Sequence, residues 1–232
     1  MLKDYLITLR LNKTYSTINK HIMKFKVYVV GEQKHYANFL HDFEMVDNIG
    51  DAQIVIFTGG EDVDPKLYGA KKHMTTFSNP ERDEYELQMF KQVRKDQLAI
   101  GICRGSQFLC VANGGKLVQN IAGHAIYGTH QITNGEMSYD ITSTHHQMQY
   151  PFNLNKKDYD ILYYTNISYE YQGDGIEPEK IPCDVEICLY HKKDMPKCLA
   201  IQGHPEYMRP NAPVVEMINA LIEGLVKEIE NV

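Results

Sequence analysis

The sequence has no excess of basic charge: 24 lysines and arginines stand against 30 aspartates and glutamates, a formal net charge of −6. That balance gives no global electrostatic footprint for nucleic acid or for an anionic membrane. No apolar run approaches the roughly 20 residues of a membrane-spanning helix. The opening stretch MLKDYLITLRLNK is broken by Lys3, Asp4 and Arg10, so it lacks the apolar centre of a secretory leader. A cytoplasmic protein without a nucleic-acid or membrane partner is therefore expected. The five cysteines (Cys103, Cys110, Cys183, Cys188 and Cys198) form no CxxC pair, which speaks against a zinc ribbon and a disulfide framework. HExxH is also missing, and no metal or other cofactor is expected. Repeats and low-complexity segments are absent. What remains is 43% hydrophobic and 23% charged, a globular composition that excludes a disordered or collagen-like chain.

From Met23 the run MKFKVYVVGE alternates Phe25, Val27 and Val29 with Lys24, Lys26 and Tyr28, and predicts a first strand. Residues 1–22 are expected to be an N-terminal extension outside the core, with a single domain over 23–232. QKHYANFLHDF, 33–43, sets Tyr36, Phe39, Leu40 and Phe43 at helical spacing. AQIVIFTGG, 52–60, is a continuous apolar run suited to a strand buried on both faces of a parallel sheet. Residues 61–80 read as a loop. NPERDEYELQMFKQVRKD then predicts a helix, with Pro80 near its start, acids in the first turn, and Tyr85, Met89, Phe90 and Val93 as its apolar stripe. QLAIGIC is another buried strand, running straight into a short helix, RGSQFLCVA, closed by Gly114 and Gly115. From Lys116 the texture changes to short strand-like pieces (KLVQNI, YDITSTHH, YDILYYTN, DVEICLYH and KCLAIQGH), expected to be largely antiparallel. The tail APVVEMINALIEGLVKEI carries Val214, Met217, Ile218, Leu221, Ile222 and Leu225 on one helical face. Together these predict an α/β protein: a three-layer, open, mainly parallel sheet with flanking helices and a small antiparallel region.

Cys103 sits at the predicted strand-to-helix corner Gly101-Ile102-Cys103-Arg104-Gly105. Glycines on both sides permit a sharp turn, as in the nucleophile elbow of hydrolases. The helix behind it presents partial positive charge, which suits a thiolate. A cysteine nucleophile needs a base, and the base an orienting group; GHPEY at 203–207 offers His204 and Glu206. Gly59-Gly60 ends another strand and could bring backbone N–H groups to an oxyanion. Each feature also has a plainer reading: a packed cysteine, a core histidine, a capping glutamate, a strand-ending turn. His145 and His146, being adjacent in a strand, point to opposite faces and do not easily share an ion.

The motifs FTGGEDVDPKLYG, RDEYE, GICRGSQ, GGKLVQN, STHHQ, DGIE and IQGHPE, in that order, resemble class I glutamine amidotransferases. They are most similar to the γ-glutamyl-γ-aminobutyrate hydrolase-like, peptidase C26 branch. The resemblance runs from about Lys24 to the C-terminal helix and implies a flavodoxin-like sheet. It implies that Cys103 attacks the γ-carbonyl of glutamine or of a γ-glutamyl amine, forming a thioester that water hydrolyses. His204 would move the proton and Glu206 would orient it. The backbone N–H groups of Gly60 and Arg104 would form the oxyanion hole. Gln107, Ser143, Thr144, His145 and His146 would contact the glutamyl group. The Arg104 side chain is expected either on a substrate carboxylate or in solvent. The alternatives are a glutaminase subunit supplying ammonia to a separate synthetase partner, and a silent binding protein of the same fold; no synthetase-like segment follows the resemblance within this sequence. Oligomerisation is left open. The sequence departs from the family at Gly203, where tryptophan is usual, at Thr142, where asparagine is usual, and in the tyrosine-rich stretch 150–182.

Overall fold

The computed structural model describes residues 24–231; the expectation for residues 1–22 lies outside them. The strands are β1 (Phe25–Val29), β2 (Phe43–Met45), β3 (Ile54–Phe57), β4 (Leu98–Ile102), β5 (Lys116–Val118), β6 (Asn120–Ile121), β7 (Gly128–Thr133), β8 (Ser138–Ser143), β9 (Met148–Tyr150), β10 (Tyr159–Thr165), β11 (Tyr171–Gln172), β12 (Asp184–Tyr190) and β13 (Lys197–Ile201). The helices are α1 (Pro80–Phe90), α2 (Arg104–Ala112) and α3 (Pro213–Glu230). Nine strands form one sheet in the order β2-β1-β3-β4-β13-β12-β10-β7-β8. The half from β2 to β13 is parallel, and the half from β12 to β8 is antiparallel. Two small antiparallel ladders, β6 with β11 and β5 with β9, complete it.

Period-two alternation sends successive strand residues to opposite faces. Ile54 and Ile56 of β3, with Leu98, Ile100 and Ile102 of β4, pack against Val214, Ile218, Leu221 and Ile222 of α3. Val55, Phe57 and Ala99 face the other way, onto Phe90 of α1 and Phe108 and Leu109 of α2. That arrangement makes the three layers. None of the helices among the described residues is long and apolar enough to cross a membrane.

Three local expectations are corrected. The helix expected over 33–43 is one 3-10 turn, Lys34–Ala37, with no side-chain cap. Phe39 and Leu40 are buried against the α3 layer, and Phe43 opens β2; tertiary burial, not a helix, satisfies the apolar spacing. On α1 the expected stripe is only partly used, since Tyr85 is exposed. The residues that α1 buries are Asp83, Glu86 and Phe90, and the two carboxylates are needed by a partner described below. The last strand ends at Ile201, just short of the expected Gly203 or His204.

Candidate active site

β4 ends at Ile102 and α2 begins at Arg104, leaving Cys103 alone in the turn. Its φ of 52° and ψ of −110° lie where non-glycine residues are rarely found. The surroundings hold it there. Its N–H donates to the Ile201 carbonyl at 2.8 Å, and its carbonyl accepts from the Ser106 hydroxyl at 2.7 Å. The flanking glycines are required by contact: a Cβ on Gly101 would run into the Gly105 carbonyl, and one on Gly105 into the Phe57 carbonyl.

Gly60 has a φ of 141°, and a Cβ there would strike the Arg82 guanidinium. Arg82 donates to the carbonyls of Thr58 at 3.2 Å and Gly59 at 2.8 Å. In a trans peptide the N–H points opposite to the C=O, so this bond turns the Gly60 N–H away from Arg82; Gly60 itself lines the cavity that holds Cys103. The Arg104 side chain corrects the expectation of a substrate or solvent role. It is buried, paired with Asp83 and Glu86, and donates to the Glu61 carbonyl at 3.1 Å. Glu86 also accepts from Arg82 Nε at 2.9 Å. Two buried carboxylates thus join the elbow to the Gly59-Gly60 loop. The sequence alone marks RDEYE as a motif but gives Arg82, Asp83 and Glu86 no task; their spacing, placing Asp83 and Glu86 on one helical face, was the available signal. Removing one member of a buried ion-pair set leaves charge uncompensated, so Glu86→Ala is expected to lower unfolding free energy by ~3–5 kcal/mol. Denaturant melts showing a loss below about 1 kcal/mol would contradict the load assigned to this network.

His204 follows β13, its N–H bonded to the Thr142 carbonyl at 3.1 Å. Its Nδ1 lies 2.7 Å from Glu206 Oε1. The ring shares the cavity with Cys103 and stacks on Tyr207, with centroids 4.8 Å apart and planes at 12°. Burial alone would lower the His204 pKa; the interactions with Cys103 and Glu206 outweigh it and push the value up to about 10. A raised histidine pKa contributes stability that is complete below the ordinary 6.5 and is lost as pH rises through about 10. The melting temperature of wild type is accordingly expected to exceed that of Glu206→Gln most at mildly acidic pH, with the gap closing toward pH 10. A gap that widens with pH would contradict this.

Cys103, His204, Gly60, Arg104, Gln107, Thr144, His145 and His146 all line one cavity of about 600 Å³. Glu206 supports it from behind His204, with its side chain buried. Gln107 is fixed by its donation to the Gln147 carbonyl at 3.0 Å. His146 pairs with Asp62 at 3.0 Å; this bond raises its pKa against burial. His145 turns inward, its Nδ1 2.9 Å from the Gln147 carbonyl, so the two histidines do point apart. Ser143 is the exception and a correction: it is fully buried, lies outside the residues lining the cavity, and spends its hydroxyl hydrogen on the His124 carbonyl at 2.6 Å. Gly203 is explained by space, because a Cβ there would press on Ile141 and the Thr142 carbonyl. Sequence reasoning missed His124, His130 and Glu186, whose side chains meet His145 in one buried cluster.

A sequence profile of the Peptidase C26 family matches residues 18–160, more than half of the chain. The chain belongs to the Peptidase C26 family. This C26 chain is 29% identical over 154 residues to a Mycobacterium tuberculosis protein whose name places it among the glutamine amidotransferases, a match covering 66% of this chain and 50% of that one. It is 40% identical over 80 residues to a glutamine amidotransferase-like protein of Rickettsia prowazekii, covering 34% of this chain and 27% of that one. The matched stretches thus span half or less of these relatives' lengths. Among solved structures, a Thermoplasma acidophilum protein described as a GMP synthase subunit superposes with a TM-score of 0.54 at 16% identity, covering 91% of the C26 chain and 96% of its own. At that identity the likeness bears on fold alone. The chain shares its fold with this solved protein, and its sequence is similar to proteins named as glutamine amidotransferases or glutamine amidotransferase-like.

Proposed function

We propose that the C26 chain hydrolyses a γ-glutamyl amide bond, of glutamine or of a γ-glutamyl amine, through a thioester on Cys103. The observation that carries this reading is the set Cys103, His204 and Glu206: a thiol on a strained corner, in one cavity with an imidazole whose Nδ1 is held by a buried carboxylate at 2.7 Å. In this reading the Cys103 thiol hands its proton to His204 first, and the sulfur then attacks the γ-carbonyl. The Gly60 and Arg104 backbone N–H groups stabilise the oxyanion. The C–N bond breaks as His204 gives its proton to the leaving nitrogen. Water, deprotonated by His204, then cleaves the thioester and releases glutamate. Glu206 acts as a positioning residue for His204. At the cavity wall, Glu61 and Asp62 offer carboxylates for an α-ammonium, while His146 and Thr144 face an α-carboxylate. Five free cysteines accord with a cytoplasmic setting.

A second reading, ammonia supply to a separate synthetase, draws support from Phe77, Tyr127 and Tyr207. All three line the cavity yet are 73%, 89% and 58% exposed, an aromatic rim that a partner could cover. Glutamate release from glutamine and from a panel of γ-glutamyl amines, with Cys103→Ala as control, tests the reading. Cys103-dependent turnover of one amine establishes the stand-alone hydrolase. No turnover, with Cys103 still labelled by a glutamine-analogue electrophile, supports the second reading. Neither turnover nor labelling overturns both and leaves a silent binding protein.

A further inference from the structure

We propose that His124, His130, His145 and Glu186 form a closed structural site for one four-coordinate divalent transition metal, zinc by the character of its donors. The four side chains come from the turn before β7, from β7, from the segment after β8 and from β12, and all are buried. Their nearest ligand atoms lie within 4.8 Å of one another. Glu186 Oε1 is 3.3 Å from His124 Nδ1, 3.2 Å from His130 Nε2 and 3.7 Å from His145 Nε2. His124 Nδ1 and His145 Nε2 are 3.2 Å apart. A tetrahedral ion about 2.0–2.1 Å from each ligand sets its ligands roughly 3.3 Å apart. Four of the six edges, at 3.2–3.7 Å, lie near that figure and the two from His130 to the other imidazoles lie within 4.8 Å; three imidazoles with one carboxylate are a borderline donor set that suits zinc.

The hydrogen bonds around the cluster argue for a cation more strongly than the distances do. His145 Nδ1 faces the Gln147 carbonyl at 2.9 Å. A carbonyl only accepts, so that nitrogen carries the N–H, and Nε2 of the neutral ring is a lone pair. His124 Nε2 faces Asp184 Oδ2 at 3.2 Å. Asp184 also accepts from the Tyr171 hydroxyl and from the N–H groups of Ile167 and Ser168. Nε2 of His124 is therefore the donor there, and its Nδ1 is a second lone pair. Two lone pairs and a carboxylate thus converge on one point out of reach of water, with neither Glu186 oxygen nor either His130 nitrogen in a hydrogen bond. Such a convergence repels unless a positive centre sits within it. Asp184 and the Gln147 carbonyl accept from the ring nitrogens that face away from the centre and so hold the rings, as such partners do for metal-bound histidines. All four positions are supplied by the chain, the mark of a structural and not a catalytic site. The site would tie β7, the segment after β8 and β12 together and fix Gln147, whose carbonyl also receives Gln107 at the cavity. The competing occupant is a proton on His124 Nδ1.

The test is the metal content of the whole chain. Protein made in zinc-supplemented medium and dialysed against a weak chelator is expected to retain one zinc per chain by mass spectrometry. Co²⁺ replacing it should show the intense visible bands of a four-coordinate ion. Strong chelation should lower the melting temperature and added Zn²⁺ should restore it. Zinc should persist in Cys103→Ser, which removes the thiol from the cavity it shares with His204, and disappear in His130→Gln and Glu186→Gln. Wild type that retains no zinc and whose melting temperature ignores both chelator and Zn²⁺ would assign the cluster to the proton and overturn the proposal. Zinc lost in Cys103→Ser, or kept in Glu186→Gln, would place the ion elsewhere and equally overturn it. Should the cluster variants fail to fold, the wild-type zinc count and cobalt spectrum decide alone.

Discussion

Cys103→Ala is expected to abolish γ-glutamyl hydrolysis, a loss on the order of 10⁵-fold or more, as for other enzymes stripped of their nucleophile. The fold should survive. Alanine meets the same backbone strain at φ 52° and keeps the N–H bond to Ile201. It removes one sulfur from a side chain only partly buried, so stability should change by no more than about 1 kcal/mol. Rate and melting temperature are therefore expected to separate cleanly. Turnover retained by the alanine variant would end the thioester account; a collapsed fold would show that the sulfur is mainly a packing atom.

The second large effect is at His204. His204→Ala removes the group placed to take the thiol proton and to return one to the leaving nitrogen, and a loss on the order of 10⁶-fold is expected; Glu206→Gln should cost on the order of 10⁴-fold. The order follows from the geometry. Glu206 touches no reacting atom; it holds Nδ1–H at 2.7 Å and so leaves Nε2 for the sulfur. A glutamine can present its amide N–H to Nδ1, reversing the tautomer and putting a hydrogen on the nitrogen that should accept the thiol proton. The loss in Glu206→Gln should accordingly fall on kcat with little change in KM. Equal losses in both variants, or none in either, would refute the roles assigned.

The residues that proved easiest to read are those whose chemistry depends on the local chain. The elbow was legible because Gly101 and Gly105 flank a cysteine between a strand and a helix, and the structure shows backbone contacts that forbid a side chain at either glycine. The α3 stripe is legible from its period and the buried strands β3 and β4 from their continuous apolar runs, whereas β13, which reads as one of the antiparallel pieces, also pairs parallel with β4. What stayed hidden is set by pairing at a distance. Arg104 looks like a surface or substrate-facing cation until Asp83 and Glu86 are brought to it from another helix. The same pairing explains why α1 buries two acids and leaves Tyr85 exposed. The apolar residues of 33–43 fit a helical period, yet no cap secures a helix there and the sheet takes up Phe43. His124, His130 and Glu186 are too widely spaced to form any short metal motif; only the antiparallel half of the sheet, with its hairpin of β7 and β8 beside β10 and β12, draws them together.

The central claim is the covalent step at Cys103, and the most direct measurement is mass spectrometry of wild-type protein quenched in acid during reaction with a γ-glutamyl substrate. A mass increase of one γ-glutamyl group is expected on the peptide carrying Cys103, absent in Cys103→Ala and persisting longer in Glu206→Gln. Steady release of glutamate with no adduct on that peptide, or an adduct on another residue, would contradict it.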